Sequence, residues 1–220
     1  MKEQKYKAVV FDLDGTLLDT VQDIGAGANT ALHRSGFPEF SIEDYRRFVG
    51  HGMRVLFEQI VPKNTDKAVF EDTFSYFLSY YPEHCTDHTD YYPGIREVLK
   101  KLADAGLLLG VLSNKTETTS IKIIRHFFPE IPFAIVWGSN GVRPLKPSTE
   151  AGVELCRVLQ VKPPEVFYVG DGDTDMEFAA RMGFYPAAAT WGYRSREQEL
   201  AAGARVLMDA PGDILKQLNL

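Results

Sequence analysis

The sequence is poor in several features that mark specialised proteins. Its 220 residues include only two cysteines, Cys85 and Cys156, which form no CxxC pair. It has no block of lysine and arginine, and its formal net charge is −6. So few cysteines exclude a disulfide scaffold and favour a reduced, cytoplasmic compartment. Nucleic acid is not an expected partner, because its phosphates bind clustered basic side chains.

Long apolar runs are also missing. The chain begins MKEQKYK, and the short apolar run that follows soon meets Asp12. This predicts neither a signal peptide nor a membrane span, so no membrane partner is expected. What is present is an ordinary globular composition, 45% hydrophobic and 25% charged, in a chain long enough for one large domain or a domain with an insertion.

Short apolar segments alternate with helical patterns through most of the chain. Ala8–Phe11 is continuously apolar and bounded by turn residues, which is typical of a central buried strand. Helices are predicted between the later strands, for example at Thr118–Phe128 and Ser148–Leu159. The alternation predicts an α/β fold: a doubly wound, Rossmann-like parallel sheet with helices on both faces. The later strands are predicted at Leu107–Leu112, Ala134–Trp137, Val166–Val169, Tyr185–Thr190 and Arg205–Met208.

The region between the first strand and about Pro93 has a different pattern, without a good buried strand. We interpret residues 16–92 as an α-helical cap inserted after the first strand, and residues 1–15 and 93–220 as the α/β core. Asp19 or Thr20 is a candidate N-cap for the first cap helix. The helices of the cap are predicted at Asp19–Ser35, Ser41–Phe48, Met53–Ile60 and Lys67–Tyr80.

Polar groups follow three of the predicted strands. Asp12 and Asp14 come directly after the first strand, Ser113-Asn114 follow the second, and Asp171 begins the acidic run after Val166–Val169. In open parallel sheets, ligands bind outside the carboxyl ends of the strands. A buried carboxylate is costly unless it is paired or bound to a metal. The pattern therefore predicts that Asp12, Asp14 and Asp171 supply oxygen ligands to a hard cation.

Each segment also has an ordinary structural interpretation. Asp-x-Asp-Gly is a common turn, and GDGDTD could simply cap the helix that follows it. A calcium loop is excluded for the first segment, because the later ligands of that loop are missing. Two acidic strand ends together with a Ser-Asn strand end favour a site over three unrelated turns.

The motifs resemble those of a known family. DLDGTLLDT resembles the first motif of the haloacid dehalogenase superfamily of phosphotransferases, and Ser113-Asn114 the second. Lys146, in RPLKPSTE, resembles the third motif, and VGDGDTDME the fourth. The order is the family's, and the motifs extend over nearly the whole chain. The insertion, with VGHGM, YYPG and the late TWGYRSREQEL, is similar to the helical cap of the phosphoglycolate phosphatase-like branch.

The resemblance implies different catalytic roles for Asp12 and Asp14. Asp12 would be the nucleophile that takes a phosphoryl group, giving an aspartyl-phosphate. Asp14 would protonate the leaving oxygen and later deprotonate the attacking water. That role needs a proton on Asp14 at the start, which acidic neighbours would favour.

The resemblance also implies the groups around the phosphoryl centre. Mg²⁺ would be held by Asp12, the backbone carbonyl of Asp14 and Asp171, while Asp175 would hold either water at the cation or the lysine. Lys146 would pair with the nucleophile and the phosphoryl group. The phosphoryl oxygens would be bound by the Ser113 hydroxyl and the backbone N–H groups of Leu13, Asp14 and Asn114.

The expected activity is Mg²⁺-dependent hydrolysis of a small phosphomonoester, with phosphoglycolate as the leading substrate by resemblance alone. A sugar-phosphate mutase like β-phosphoglucomutase and a pyrophosphatase remain open within the superfamily. A non-catalytic phospho-receiver is the alternative from another class, although receivers need no helical insertion. The expected partner is a small phosphorylated metabolite, and the protein is expected to be a monomer or homodimer.

Weaker signals occur in the cap and near the end of the chain. His51, Gly52 and Arg54 lie in or beside a glycine-rich turn that either closes over the substrate or only joins two helices. His84 and His88 have helical spacing, but the Cys/His ligand pattern around them is poor for zinc. The late charged residues are predicted to be solvated surface: Arg194, Arg196, Glu197 and Glu199.

Overall fold

The first strand lies inside a six-stranded parallel sheet. The computed structural model describes residues 5–220, and its sheet has the order β5-β4-β1-β6-β7-β8 with every neighbouring pair parallel. This confirms the predicted α/β fold. The strands are β1 (Ala8–Phe11), β2 (Leu18–Asp19), β3 (Asp90–Tyr91), β4 (Leu108–Thr116), β5 (Phe133–Ser139), β6 (Val166–Gly170), β7 (Tyr185–Ala189) and β8 (Val206–Met208).

Helices cover the two faces of this sheet and form the insertion. Those of the insertion are α1 (Val21–Arg34), α2 (Ile42–Phe48), α3 (Met53–Ile60) and α4 (Lys67–His84). Those of the core are α5 (Ile95–Asp104), α6 (Glu117–Phe127), α7 (Glu150–Leu159), α8 (Asp173–Met182), α9 (Arg196–Ala201) and α10 (Asp213–Leu218), with a 3₁₀ turn at Pro163–Glu165.

The apolar run of β1 is continuous because both faces of the strand are buried. Val9 and Phe11 belong to the larger hydrophobic core, which also includes the cap. Ala8 and Val10 face the second core, with Tyr168 of β6. Successive side chains of a strand point to opposite faces, so covering both faces removes the alternation between apolar and polar residues.

The inserted helices pack through their aromatic side chains. Phe77 of α4 lies 4.8 Å from Phe57 of α3, measured between ring centroids, and Phe74 lies 5.2 Å from Phe57. The aromatic side chains Phe74 and Phe77 of α4 therefore pack against α3. A short antiparallel pair, β2 with β3, stands where the chain leaves and re-enters the core, a feature that the sequence interpretation missed. The domain boundaries after residues 15 and 92 stay a prediction.

Several element ends differ from the expectations, among them those of α1, β4 and α4. α1 begins at Val21, since β2 takes Asp19, and Thr20 is the N-cap residue without a side-chain capping bond. β4 continues to Thr116, where it pairs with Ser139 after an irregularity in the register. α4 continues through Pro82 to a length of 18 residues. No helix within residues 5–220 is long and apolar enough to cross a membrane.

Two of the late charged residues are not solvated surface, which corrects that expectation. Arg194 donates to the carbonyl oxygens of Arg46 and Val49 in the cap, at 2.6 and 2.7 Å. Glu199 on α9 is fully buried, and burial raises the pKa of its carboxyl to about 9. The contact of Arg194 with the cap joins elements far apart in sequence, so the local charge pattern could not reveal it.

The return of the chain from the cap is held by a buried carboxylate. Asp23 on α1 is 1% exposed and accepts from the backbone N–H groups of His88 and Thr89 and from the Thr89 hydroxyl, at 2.8–3.0 Å. The His88 ring contacts the same carboxylate at 2.9 Å, while His84 pairs with Asp87 at 2.8 Å. His84 and His88 therefore pair with carboxylates where the chain returns from the cap to the core.

Replacing Asp23 by alanine should destabilise the protein by about 2–4 kcal/mol, because several buried donors of His88 and Thr89 would lose their acceptor. Urea unfolding followed by circular dichroism measures this. Asp72→Ala, which removes an exposed carboxylate paired with Arg34, should change the free energy of unfolding by less than about 1 kcal/mol. Equal effects of the two substitutions would contradict a special role for Asp23.

Candidate active site

The loop after β1 directs two carboxylates toward the carboxyl edge of the sheet. Asp12 follows the last residue of β1, and its N–H donates to the carbonyl of Val169 in β6 at 2.9 Å. The chain then turns tightly, with Gly15 N–H donating to Leu18 O at 2.9 Å. Asp12 and Asp14 are each 7% exposed.

Asp171 stands opposite this loop and is held in a closely fitting cradle. Its carboxylate accepts from the Thr16 hydroxyl at 2.7 Å and from the Tyr193 N–H at 2.9 Å. A Cβ at Gly15 would lie 2.1 Å from Asp171 Oδ2, and one at Gly192 would lie 2.2 Å from Asp171 Cβ. Gly15 also has a φ of +85°, so both its conformation and its neighbour require glycine there.

Lys146 joins the first and fourth motifs. Its ammonium donates to Asp12 Oδ1 at 2.8 Å, to Asp175 Oδ1 at 2.6 Å and to the carbonyl of Leu112 at 2.8 Å. The Tyr168 hydroxyl lies 3.1 Å from the same nitrogen. Burial alone would lower the pKa of Lys146, but the Asp12 and Asp175 carboxylates hold it well above its ordinary value. Asp175 therefore contacts the lysine, one of its two expected partners.

Three buried carboxylates lie close together in this site. One oxygen from each of Asp12, Asp171 and Asp175 lies within 4.8 Å of the others. Burial, and then the neighbouring Asp175 carboxylate, raise the pKa of Asp12 to about 7. Burial, and then Asp12, raise the pKa of Asp171 to about 8. Lys146 offsets only part of the negative charge of these three carboxylates, and their oxygens are the ligands that hard divalent cations take, so the residues fit such a cation.

Asp14 has two partners that the sequence interpretation missed. Lys115 Nζ lies 2.8 and 3.1 Å from its two oxygens, and the Thr20 hydroxyl donates to Oδ1 at 2.6 Å. The charged group that contacts Asp14 is therefore the Lys115 ammonium, whereas acidic neighbours were expected from the sequence. Lys115 directly follows Ser113-Asn114, and this position beside a motif is the sequence feature that could have pointed to it. Thr20 was predicted only as a candidate helix N-cap, and no sequence feature pointed to its contact with Asp14.

The second motif occupies the end of β4 and reaches the cap. Ser113 lines the cavity beside Asp12, and its Oγ accepts from the N–H of Lys115 at 3.3 Å. The Asn114 amide donates to Gly50 O at 2.9 Å and to Lys146 O at 3.1 Å, and it accepts from Lys146 N–H at 2.8 Å. Asn114 therefore connects the third motif to the glycine-rich turn. Leu13 is fully buried.

The three cap candidates occupy different places. Gly52 lines the cavity. His51 lies at its side, with Nε2 3.3 Å from Oδ2 of Asp173, the first residue of α8. Arg54 forms two hydrogen bonds to Glu71 within the cap, at 3.0 and 2.8 Å, and is not among the described residues that line the cavity.

A small cavity lies between the cap and the strand ends. It has room for about one water molecule, and residues of the cap line it opposite the carboxylates. Its core side is polar and its cap side is mostly apolar. The lining residues are Asp12, Asp14, Val49, Gly50, Gly52, Met53, Leu56, Ser113, Asn114 and Lys115.

The sheet order, the inserted helices and the converging motifs agree with a family match. Residues 9–189 match the haloacid dehalogenase-like hydrolases. The chain belongs to this family. The predicted resemblance is therefore confirmed, and so is the prediction that this hydrolase is an enzyme of the phosphatase type. A non-catalytic receiver is not supported.

Named relatives in this family are phosphatases. The chain is 31% identical over 197 residues to a phosphoglycolate phosphatase of Chromobacterium violaceum, with 88% of this chain and 89% of that one aligned. It is 32% identical over 221 residues to an N-acetylmuramic acid 6-phosphate phosphatase of Pseudomonas aeruginosa, with 100% and 97% aligned. A crystal structure from Lactobacillus delbrueckii subsp. bulgaricus, provisionally assigned as a phosphoglycolate phosphatase, superimposes with a TM-score of 0.91 at 28% identity, covering 97% of this chain and 98% of that one.

With a chelator present, stability should fall as pH rises from about 5 to about 8. The pKa values of Asp12 and Asp171 are raised from 3.8 in the unfolded chain to about 7 and about 8. In this interval the folded state holds protons that the unfolded state has lost, so the free energy of unfolding falls with increasing pH. Urea unfolding at several pH values measures the slope.

A divalent cation should flatten this slope, because it binds the ionised carboxylates of the folded state. Asp171→Asn should reduce both the slope and the stabilisation by the cation. Asp104→Asn, at an exposed site on the end of α5, should leave both unchanged. Stability that rises with pH in the presence of chelator would contradict the uncompensated burial of these carboxylates.

Proposed function

We propose that this enzyme is a Mg²⁺-dependent phosphatase that hydrolyses a small phosphomonoester through an aspartyl-phosphate on Asp12. The main support is the convergence of Asp12, Asp171 and Asp175 on one place at the carboxyl edge of the sheet, beneath the cap. The family to which the chain belongs, and the named phosphatases among its relatives, point in the same direction.

Asp12 is suited to nucleophilic attack by its second oxygen. Oδ1 is held by Lys146, whereas Oδ2 accepts no hydrogen bond from residues 5–220. In the proposed first step, this oxygen forms a bond to phosphorus while the bond from phosphorus to the ester oxygen breaks. Lys146 keeps the carboxylate oriented and offsets its negative charge, so the nucleophile does not need a separate base.

Asp14 would act as general acid in the first half of the reaction and as general base in the second. It would give a proton to the departing ester oxygen, and then take one from the water that attacks the phosphorus of the aspartyl-phosphate. This second step releases inorganic phosphate and restores the Asp12 carboxylate. Thr20 and Lys115 hold the Asp14 side chain in the cavity, 2.6 and 2.8 Å from Oδ1.

The remaining groups would bind the charged phosphoryl oxygens. The Ser113 hydroxyl and the backbone N–H groups of Leu13, Asp14 and Asn114 are the proposed donors. Asp12, Asp171 and the backbone carbonyl of Asp14 would hold Mg²⁺. When bound, the cation supplies positive charge that neutralises the phosphoryl oxygens. Asp175 would act through its contact with Lys146.

Phosphoglycolate is the proposed substrate. Relatives from Chromobacterium violaceum and Aquifex aeolicus carry that activity in their names. N-acetylmuramic acid 6-phosphate is a second candidate, because the relative with that activity aligns with the whole chain. Its bulk would require the cap to open further. A cytoplasmic location and a monomeric or homodimeric state stay predictions from the sequence.

A phosphate-release assay over both candidate substrates, glucose phosphates and pyrophosphate, with and without Mg²⁺, tests this proposal. Asp12→Asn should lower kcat by at least about 1,000-fold, because an amide does not form the phosphoryl intermediate. Asp104→Asn should keep the wild-type rate. Full activity of Asp12→Asn, or no Mg²⁺-dependent release from any ester, would contradict the proposal.

Arg194 should support catalysis by holding the cap closed. Its guanidinium donates to the carbonyls of Arg46 and Val49, so Arg194→Ala should favour the open cap and lower kcat/KM by about 10- to 100-fold. Arg196→Ala is a matched control, since Arg196 is exposed and pairs with Asp209 on the core. Steady-state kinetics would measure both variants, and equal kinetics for the two would contradict a closing role.

A further inference from the structure

We propose that Lys115 is a specificity-determining residue that binds a carboxylate on the leaving group of the substrate. This inference rests on the proposed phosphatase function and adds the chemical feature by which the site selects its substrate. The Lys115 ammonium lies beside the proposed proton donor, Asp14, in the cavity between core and cap.

Lys115 is the only basic side chain among the described residues that line the cavity. Lys146, the other buried lysine nearby, is already engaged by Asp12, Asp175, Tyr168 and the Leu112 carbonyl. Lys115 is 1% exposed, and Asp14 provides the only hydrogen-bond acceptors of its ammonium within residues 5–220. A buried cation of this kind is the group available to an anionic substrate.

The ammonium has capacity for a further acceptor. It carries three N–H donors, and two of them are used by the two oxygens of Asp14. On another side, the ammonium lies 4.8 Å from the ring centroid of Tyr81, a cation–π contact that holds it in place. The Tyr81 hydroxyl is buried and has no partner within residues 5–220. This cluster therefore holds two unused donors.

The distances fit a carboxylate one carbon away from the ester oxygen. If Asp14 protonates that oxygen, the oxygen lies roughly 3 Å from the Asp14 carboxylate. Lys115 Nζ is 2.8 Å from the same carboxylate. In an O–CH₂–COO⁻ group, the carboxylate oxygens lie about 3 Å from the ester oxygen by ordinary bond lengths. The carboxylate therefore comes within reach of the ammonium while Lys115 keeps its contact with Asp14.

A carboxylate suits this position better than a second phosphate. When Asp14 carries the proton that it gives to the ester oxygen, the Lys115 ammonium balances a single further negative charge, and a buried dianion would remain partly uncompensated. The cap side of the cavity is formed largely by Val49, Met53 and Leu56, which offer no further positive charge.

The experiment compares kcat/KM for 2-phosphoglycolate and 2-hydroxyethyl phosphate, which has the same length but no carboxylate. The wild-type enzyme should prefer 2-phosphoglycolate by about 10- to 100-fold, the range expected for a hydrogen bond to a charged group. Lys115→Met should remove most of this preference, chiefly by raising KM for 2-phosphoglycolate. Lys115→Arg should retain part of it, and Lys100→Met, at an exposed lysine on α5, should retain all of it.

The ratio between the two substrates separates selection from a general loss of activity. If Lys115→Met does not fold by circular dichroism, Lys115→Gln replaces it in the same comparison. An unchanged ratio in the variant, or an equal loss for both substrates, would overturn the role of Lys115. So would a wild-type preference for pyrophosphate over 2-phosphoglycolate. Release from both esters without preference would overturn this inference alone, whereas no release from any ester would overturn the proposed function as well.

Discussion

Buried negative charge is the constraint on which the rest of the site depends. Asp12, Asp171 and Asp175 are held together away from water, and one lysine, Lys146, neutralises only part of their charge. Leaving such a group uncompensated would destabilise the fold, so the site requires further positive charge. A divalent cation would meet this requirement, and neutral donors from Thr16 and Tyr193 already contact Asp171.

The cap completes the site by joining the same residues to a second layer. Asn114 holds the third motif and also donates to Gly50 in the cap, while Arg194 of the core donates to Val49 in the cap. The cavity between cap and core is large enough for about one water molecule. Lys115 is the only basic side chain among the described residues that line this cavity, and we propose that it selects the leaving group.

Local patterns were sufficient for the elements whose cause is local. β1 was predicted with its observed bounds, because a strand buried on both faces is continuously apolar. The capping box of α2, from Ser41 and Asp44, follows from residues three positions apart. The length of β4 was underestimated, since its last residues pair with β5 only after an irregularity that hydrophobicity does not encode.

The sequence by itself determined the α/β class, the helical insertion and the carboxylates at the strand ends, because periodicity and motif order depend on neighbouring residues. Tertiary structure alone decided which charges meet. Lys115 reaches Asp14 across 101 positions, Arg194 reaches the cap across 145 or more, and Glu199 is buried where charge patterning predicted solvent. Such contacts are set by the packing of distant elements, and no local pattern in the chain records the distance between them.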